Sequence, residues 1–173
     1  YHQGLKLLWV TPLRSLAKDL SRAMQQAIDE IGLDWTVEVR NGDTDIKQKA
    51  RQTKSMPDIL LVTPESLHLL LAQKDHHRFF KHLHAIAVDE WHELLSTKRG
   101  VMVELALARL QFENPKIQIW GITATIGNLD QALDVLIPTA RKRTKIVAKE
   151  QKKIEIRSVY PPEVEVLPWA GHL

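Results

Sequence analysis

The 173-residue sequence contains no cysteine, which excludes disulfide bonds and thiolate-ligated metal sites. It also lacks any run of about 18 or more apolar residues, the length that a membrane-spanning helix requires. Its first residues do not resemble a signal peptide, so a cytoplasmic location and no membrane partner are the expectation. Hydrophobic residues make up 44% of the chain, which is enough for one ordinary domain with a buried core.

A strong charge of either sign is missing as well. The formal net charge is +3, which by itself does not argue for a nucleic-acid partner. Basic residues cluster near the end, at Arg141–Arg143 and Lys152–Lys153, and such short runs are typical of a solvated surface.

A zinc site is excluded by spacing. His92-Glu93 could begin a His-Glu-x-x-His motif, but Ser96 stands where the second histidine is required. Four other histidines have no matching set of ligands nearby and are interpreted as surface or turn residues: His76, His77, His82 and His84.

Short apolar runs alternate with helical patterns along most of the chain. Six runs are predicted to be strands: Leu5–Val10, Trp35–Arg40, Asp58–Thr63, Ala85–Asp89, Ile117–Thr123 and Thr144–Ala148. Helices are predicted over residues 14–31, over Glu65–Ala72, around an apolar face of Val101, Leu105, Ala108 and Leu110, and over Leu129–Ile137 after an Asn128 cap. Repeated strand–helix units predict an α/β fold, a three-layer doubly wound parallel sheet.

Short polar segments follow five of these strands. They are Thr11-Pro12, Asn41-Gly42-Asp43, Thr63-Pro64-Glu65, Asp89-Glu90 and Thr123-Ala124-Thr125. Because the carboxyl ends of parallel strands meet at one edge of the sheet, where α/β proteins bind ligands, we expect the five segments to form one site.

The most specific of these segments is Val88–His92. An apolar strand that ends in two adjacent carboxylates can hold Mg²⁺ through water with Asp89 and position an attacking water with Glu90. An acidic pair after a strand can also serve only to cap the next helix, and the pair alone does not decide between the two interpretations.

Together, the five segments resemble the first RecA-like domain of a superfamily-two DEXH-box helicase, and they match its motifs Ia, Ib, II and III in order. The Asp89–Leu95 segment, Lys98-Arg99-Gly100 and Thr123–Asn128 are similar to the Lhr-type helicases. Three further segments resemble the ligase-associated bacterial branch: Asp34–Gly42, Met56–Lys74 and Pro168–His172. That branch implies 3′-to-5′ translocation on DNA or hybrid duplexes, a role in DNA repair, and a DNA ligase and an end-processing nuclease as partners.

The resemblance implies a role for each residue of the nucleotide site. Asp89 would hold Mg²⁺, Glu90 would act on the water, and His92 would be the third catalytic residue. His92 would link hydrolysis to nucleic acid through the coupling residues Thr123 and Thr125. The alternative for His92 is a helix-start histidine that is bonded to a local carbonyl.

The resemblance also implies a set of residues that bind nucleic acid. They are Thr11, Arg14, Gly42, Thr63 and Ser66, and they would follow one strand through its phosphates without reading bases. Thr63 before Pro64 is equally good helix-capping chemistry, and a capped helix start is compatible with anion binding. Lys98–Gly100 would contact DNA or the second domain, or would only begin a solvated helix.

One departure from the family is plain, because the chain contains no Gly-Lys dipeptide and hence no P-loop for ATP phosphates. We therefore expect an N-terminally truncated domain over residues 1–149, followed by a linker over 150–173 toward a second RecA-like domain. By itself this chain is expected to hydrolyse ATP negligibly. The alternative is a nucleic-acid-binding module without ATPase activity. A flavodoxin-like domain would share the sheet but does not explain the Asp-Glu-x-His and Thr-Ala-Thr segments.

Overall fold

The computed structural model describes residues 4–124, 126–137, 142–148, 155 and 157. Its sheet has five strands, each of four residues: β1 (Leu7–Val10), β2 (Val37–Arg40), β3 (Ile59–Val62), β4 (Ala85–Val88) and β5 (Gln118–Gly121). Each lies within a predicted strand. The predicted runs were longer because they included flanking residues outside the paired strands, some of which, such as Asp89, still hydrogen bond to a neighbouring strand.

All strand pairs are parallel, and the order across the sheet is β2-β3-β1-β4-β5. The register aligns the last residues of the strands in one row. Val10 lies opposite both Val62 and Val88, while Arg40 pairs with Val62 and Gly121 with Val88. The five polar segments therefore leave the sheet at the same edge, as predicted.

Both faces of the sheet carry helices. Alternate residues of β1, β2 and β3 face α1 (Arg14–Glu30), whose Ile28 is buried against Ile59 and Leu61. The opposite residues of the strands, such as Leu8, Leu60 and Ile86, form the larger core with the helices that follow β3. The predicted three-layer α/β architecture is thus confirmed.

The helices after α1 are α2 (Ile46–Lys54), α3 (Pro64–Leu71), α4 (His76–Phe80), α5 (Trp91–Leu94), α6 (Lys98–Glu113) and α7 (Leu129–Leu136). The α7 prediction is confirmed in detail, because the Asn128 side chain accepts from the Gln131 amide at its start. Sequence reasoning missed α2, which has almost no apolar periodicity. Its signal was Asp45 followed by Gln48, whose amide donates to the Asp45 carboxylate.

The predicted apolar face of α6 was wrong. Val101 and Leu105 are 52% and 60% exposed, whereas Val103 and Leu107 are buried, along with Leu110, which the prediction included. The helix has apolar residues on two sides, so helical spacing alone cannot tell which side faces the core. Packing against α3 and the sheet decides it.

The predicted strand Thr144–Ala148 was also wrong, since these residues form no strand and Ile146 and Val147 are 86% and 64% exposed. An apolar run becomes a strand only when a neighbouring strand pairs with it. The chain divides into two units, residues 1–143 and 144–173. Most of the second unit, and with it the predicted linker, lies outside the described residues. Among the described helices, none is long and apolar enough to cross a membrane.

Candidate nucleotide and nucleic-acid site

Asp89 is held at the end of β4 by three hydrogen bonds, one through its backbone and two through its carboxylate. Its backbone amide donates to the Val10 carbonyl at 2.8 Å, which continues the β1–β4 ladder. One carboxylate oxygen accepts from the Trp9 indole at 3.3 Å, and the other accepts from the Glu90 amide at 3.0 Å. The carboxylate is therefore oriented but keeps acceptor capacity for a further partner.

The site fits the way proteins hold Mg²⁺. Magnesium is usually bound through one or two carboxylates together with waters and substrate phosphates, not by an all-protein cage. Asp89 and Glu90 are half-buried, and the described part of the chain has no group of three or more potential metal ligands. Asp89 would hold the metal through its water shell.

Glu90 occupies a strained backbone conformation, with φ 48° and ψ 45°. This left-handed region is uncommon for a residue with a Cβ and costs on the order of 1 kcal/mol. The turn it produces begins α5 directly after β4 and brings the Glu90 carboxylate to 3.4 Å from Nδ1 of His92. Strain of this kind is concentrated at functional sites, which agrees with the predicted catalytic role without testing it.

His92 lies between the acidic pair and the segment after β5. Its Nδ1 is 3.2 Å from the Thr123 hydroxyl and accepts from the Ala124 amide at 3.3 Å. Because a backbone N–H can only donate, this network makes Nδ1 an acceptor and places the proton of the neutral ring on Nε2. The 3.4 Å approach to Glu90 then becomes an ion pair only when His92 is protonated. Among the described residues, the partners of His92 are Thr123, Ala124, Glu90 and Glu93, and none of these contacts is to a backbone carbonyl.

Trp91 attaches this segment to the core. Its side chain is buried and donates from the indole to the Ala132 carbonyl at 3.0 Å, while its amide donates to the Ile122 carbonyl at 3.0 Å. The turn of Glu90 and His92 is thus braced by α7 and by the chain that leaves β5.

The predicted nucleic-acid residues divide into two kinds. Thr11, Thr63 and Ser66 are buried. The Thr63 hydroxyl oxygen accepts from the Ser66 amide at 3.4 Å and lies 3.3 Å from the Ser66 hydroxyl, while Thr11 accepts from the Leu13 amide at 3.3 Å. These hydroxyls take part in local hydrogen bonds, and Thr63 caps α3, so the capping interpretation of Thr63 holds.

Arg14 and Gly42 are exposed and lie together. A Cβ added to Gly42 would be 3.1 Å from Nη1 of Arg14, so the guanidinium lies directly over this glycine. Lys49 lies in α2, which follows the loop, and its ammonium donates to the Gly42 carbonyl at 3.3 Å. Two cations beside a side-chain-free backbone suit a phosphate.

Sequence reasoning missed two residues that shape the site. The Asn41 side chain accepts from the amides of Asp43 and Thr44 at 2.9 and 3.2 Å, which is the Asx turn that fixes the Gly42 loop. Asn-Gly after a strand was the signal for it. Trp9, the donor to Asp89, had no sequence signal, because the two residues are 80 positions apart.

The structure therefore brings Asp89, Glu90, His92 and Thr123 together, and separately brings Arg14 to Gly42. Thr125, the second predicted coupling residue, lies outside the described residues.

Comparison with known proteins identifies the family. The model of the DEAD/DEAH box helicase family matches residues 2–132. The ATP-dependent helicase Lhr-Core of Methanocaldococcus jannaschii is 34% identical over 165 residues, which are 90% of this chain and 19% of that protein. A Lhr helicase/probable uracil glycosylase of Mycolicibacterium smegmatis is 36% identical over 135 residues, 72% of this chain and 9% of that protein. The chain thus spans less than a fifth of either relative.

Solved structures of helicases also resemble this chain. The Mycobacterium smegmatis helicase Lhr bound to ssDNA and AMP-PNP matches 78% of this chain and 19% of its own with a TM-score of 0.66 and 32% identity. The DEAD-box helicase Mss116 bound to ssRNA and UDP-BeF matches 78% of this chain and 28% of its own with a TM-score of 0.68; at 22% identity it supports the fold alone. The parallel sheet is the RecA-like fold of helicase domains, and this chain belongs to the DEAD/DEAH box helicase family as one of its Lhr-type members.

Proposed function

We propose that this chain is the first RecA-like domain of an ATP-dependent helicase that moves 3′ to 5′ along DNA. The observation that carries the proposal is the contact of His92 with Thr123, next to the acidic pair and on the same sheet edge as Arg14 and Gly42. A nucleotide site and a strand-binding surface on one edge are what a motor requires. Residues 1–149 would form the motor domain, and 150–173 would lead to a second RecA-like domain.

The chemistry assigned to the chain's own residues is proton and water positioning. When bound, Mg²⁺ and ATP supply the phosphoryl group and the neutralisation of its charge. Asp89, oriented by Trp9 and by the Glu90 amide, holds the water shell of the metal. Glu90 orients the attacking water and accepts its proton, a contribution of about 10²–10⁴ in rate for a positioned general base.

Coupling is assigned to His92 and the residues after β5. Thr123 and Ala124 both contact Nδ1, so a shift of the chain after β5 changes the position of the imidazole that stands beside Glu90. Thr125 belongs to this assignment by resemblance. We expect Thr123→Ala with Thr125→Ala to leave ATP hydrolysis in place and to reduce unwinding.

The choice of DNA as substrate rests on the Lhr structure, which was solved with ssDNA. Single-stranded DNA or a DNA-containing duplex would be bound through its phosphates by the exposed Arg14 and Gly42, with Thr11, Thr63 and Ser66 shaping the loops. Membership of the ligase-associated branch, with a DNA ligase and an end-processing nuclease as partners in DNA repair, rests on the sequence resemblance.

The test is single-strand-stimulated ATP hydrolysis by a protein that joins this chain to a P-loop and a second RecA-like domain. Glu90→Gln should keep ATP binding and lose most hydrolysis, since the amide preserves shape and removes the base. Glu93→Gln is the matched control, because Glu93 lies in α5, the helix that Glu90 precedes, is 60% exposed and approaches the other ring nitrogen of His92. Near-normal turnover by Glu90→Gln would refute the catalytic assignment.

A nucleic-acid-binding module without ATPase activity is the second candidate, and the exposed Arg14 beside Gly42 would serve it without a nucleotide site. It predicts strand binding that does not depend on ATP or on Glu90. Motor function instead predicts that strand affinity changes when a non-hydrolysable ATP analogue is added.

A further inference from the structure

Arg99, at the start of α6, forms hydrogen bonds to two separate loops of the sheet edge. Its Nε donates to one carboxylate oxygen of Glu65 at 2.6 Å and its Nη2 to the other at 3.3 Å. Its Nη1 donates to the Pro12 carbonyl at 3.1 Å. One planar guanidinium thus joins the loop after β1 to the segment that follows β3, at the first turn of α3.

The two partners stand inside the strand-binding segments. Pro12 directly follows Thr11 and precedes the Arg14 helix start, while Glu65 lies between Thr63 and Ser66. A nucleic-acid strand that contacts both loops must match the distance between them. The fork geometry of arginine fixes that distance, because its donors cannot rotate independently.

Arg99 itself is held firmly by the turn that follows α5. The Thr97 hydroxyl donates to the Leu94 carbonyl at 2.7 Å and accepts from the Gly100 amide at 3.0 Å, which caps α6. A Cβ on Gly100 would lie 2.1 Å from the Leu94 carbonyl oxygen, so only glycine allows this approach. The position of Arg99 is therefore set by α5, the helix that carries His92.

The charge of Arg99 is already matched within the protein. Burial alone would raise the pKa of Glu65, but hydrogen bonds, first of all from Arg99, outweigh it and hold that pKa below the usual value. Glu65 is consequently ionised at neutral pH and neutralises the guanidinium. A cation that is paired in this way has little net charge to offer a phosphate.

We propose that Arg99 is a positioning residue that sets the spacing of the two strand-binding loops and relays the position of α5 to them. This inference rests on the proposed function, because it assigns the loops to nucleic acid. It distinguishes Arg99 from Arg14, which contacts the strand itself. Sequence reasoning had left the Lys98–Gly100 segment open between a DNA contact, a domain contact and a solvated helix start.

The experiment measures the affinity of the helicase containing this chain for a fluorescent, mixed-sequence single-stranded DNA oligonucleotide over a range of salt concentrations. Arg99→Ala should raise Kd about threefold to tenfold, as expected for a charged hydrogen bond discounted for partial exposure. The slope of log affinity against log salt should stay unchanged. Loss of a direct phosphate contact would instead reduce the magnitude of this negative slope by about one.

Arg109→Ala is the matched control. Arg109 lies on the same helix, and its guanidinium pairs with the Glu113 carboxylate at 3.2 Å, on a part of the helix that contacts neither loop. It should leave Kd unchanged. Similar unfolding temperatures for the two variants would show that Arg99→Ala is folded.

Glu65→Ala provides a test of opposite sign. Removing a negative charge beside a polyanion should tighten binding if only electrostatics mattered, but it should weaken binding if Arg99 and Glu65 hold the loops. Tighter binding by Glu65→Ala, or an unchanged Kd for Arg99→Ala, would overturn the inference. If Arg99→Ala does not fold, Glu65→Ala decides the question. A wild-type protein that binds no single strand would refute the proposed function instead.

Discussion

The two halves of the sheet edge treat their polar side chains differently. After β4 and β5, Asp89, Glu90, His92 and Thr123 are half-buried, and Glu90 has a strained backbone. After β1, β2 and β3, the hydroxyls of Thr11, Thr63 and Ser66 are buried in local hydrogen bonds, and the exposed groups come from Arg14 and Gly42.

The proposed function accounts for this difference. Groups that take part in hydrolysis must exchange partners during a cycle, so they cannot be buried in permanent bonds. Groups that follow a phosphate chain need a fixed backbone and a few cations, and buried caps supply that rigidity. The comparison predicts that changes in the first half affect rate, whereas changes in the second half affect stability and affinity.

The largest effect is expected for Asp89→Asn in the enzyme with a P-loop and second domain. ATP hydrolysis should fall by about 10² or more, because a neutral amide holds the water shell of Mg²⁺ far less well. Titration with Mg²⁺ should show weaker metal-dependent ATP binding. Trp9→Phe, which removes only the indole donor, is the control and should cost much less; equal losses would mean that orientation, not charge, matters.

The next largest effect is on stability, and it concerns Asp58, which lies outside both halves of the sheet edge. Asp58 is buried before β3, where it pairs with Lys6 and accepts from the Thr36 amide at 3.0 Å. Asp58→Asn should lower the free energy of unfolding by about 2–4 kcal/mol, because it leaves Lys6 without its partner. Urea denaturation measures this. The variant should retain the DNA affinity of the folded protein, in contrast to Arg14→Ala.

The stability that Asp58 contributes should also depend on pH. Burial by itself would raise the pKa of Asp58, but bonds from Lys6 and Thr36 and the Lys6 charge hold it below its ordinary value. A lowered folded-state pKa adds stability above the unfolded-state pKa and loses it as pH falls through the folded value. The stability difference between wild type and Asp58→Asn should therefore shrink below about pH 4.

A smaller effect is expected for Thr63→Ala. Loss of the cap should lower the free energy of unfolding by about 1 kcal/mol, a usual value for an N-cap threonine. Thr63→Ser keeps the hydroxyl and should restore most of the loss. If Thr63→Ala instead weakens single-strand binding without changing stability, the hydroxyl binds phosphate directly and the two halves of the edge are more alike than the structure indicates.

The smallest expected effect is that of Arg14→Ala on affinity. Single-strand Kd should rise a few-fold for all base sequences, and the salt slope should decrease by about one. Stability should not change, because the side chain is exposed. Arg22→Ala, another exposed arginine of α1, is the control and should leave the slope as it is. An unchanged slope for Arg14→Ala would remove Arg14 from the strand-binding surface.

The strands and their polar ends could be predicted because both are local properties of the sequence. Ala85–Val88 is apolar on both faces and is followed at once by two acidic residues, so the strand and its end are visible in six consecutive positions. The face of α6 could not be predicted in this way, since Val101 and Val103 lie on different sides of one helix and both are apolar. The strand predicted over Thr144–Ala148 failed because pairing depends on a neighbour that the segment does not specify.

By itself, the sequence determined the order of the motifs, the parallel α/β fold and the edge on which Asp89 and Thr123 would meet. Only the tertiary structure decided which atoms touch. His92 reaches Thr123 across 31 positions because β4 and β5 are neighbours in register. Arg99 reaches Pro12 across 87 positions because α6 packs beside α3. Hydrogen-bond partners at such separations depend on how strands and helices are arranged in space, and no local pattern of residues records that arrangement.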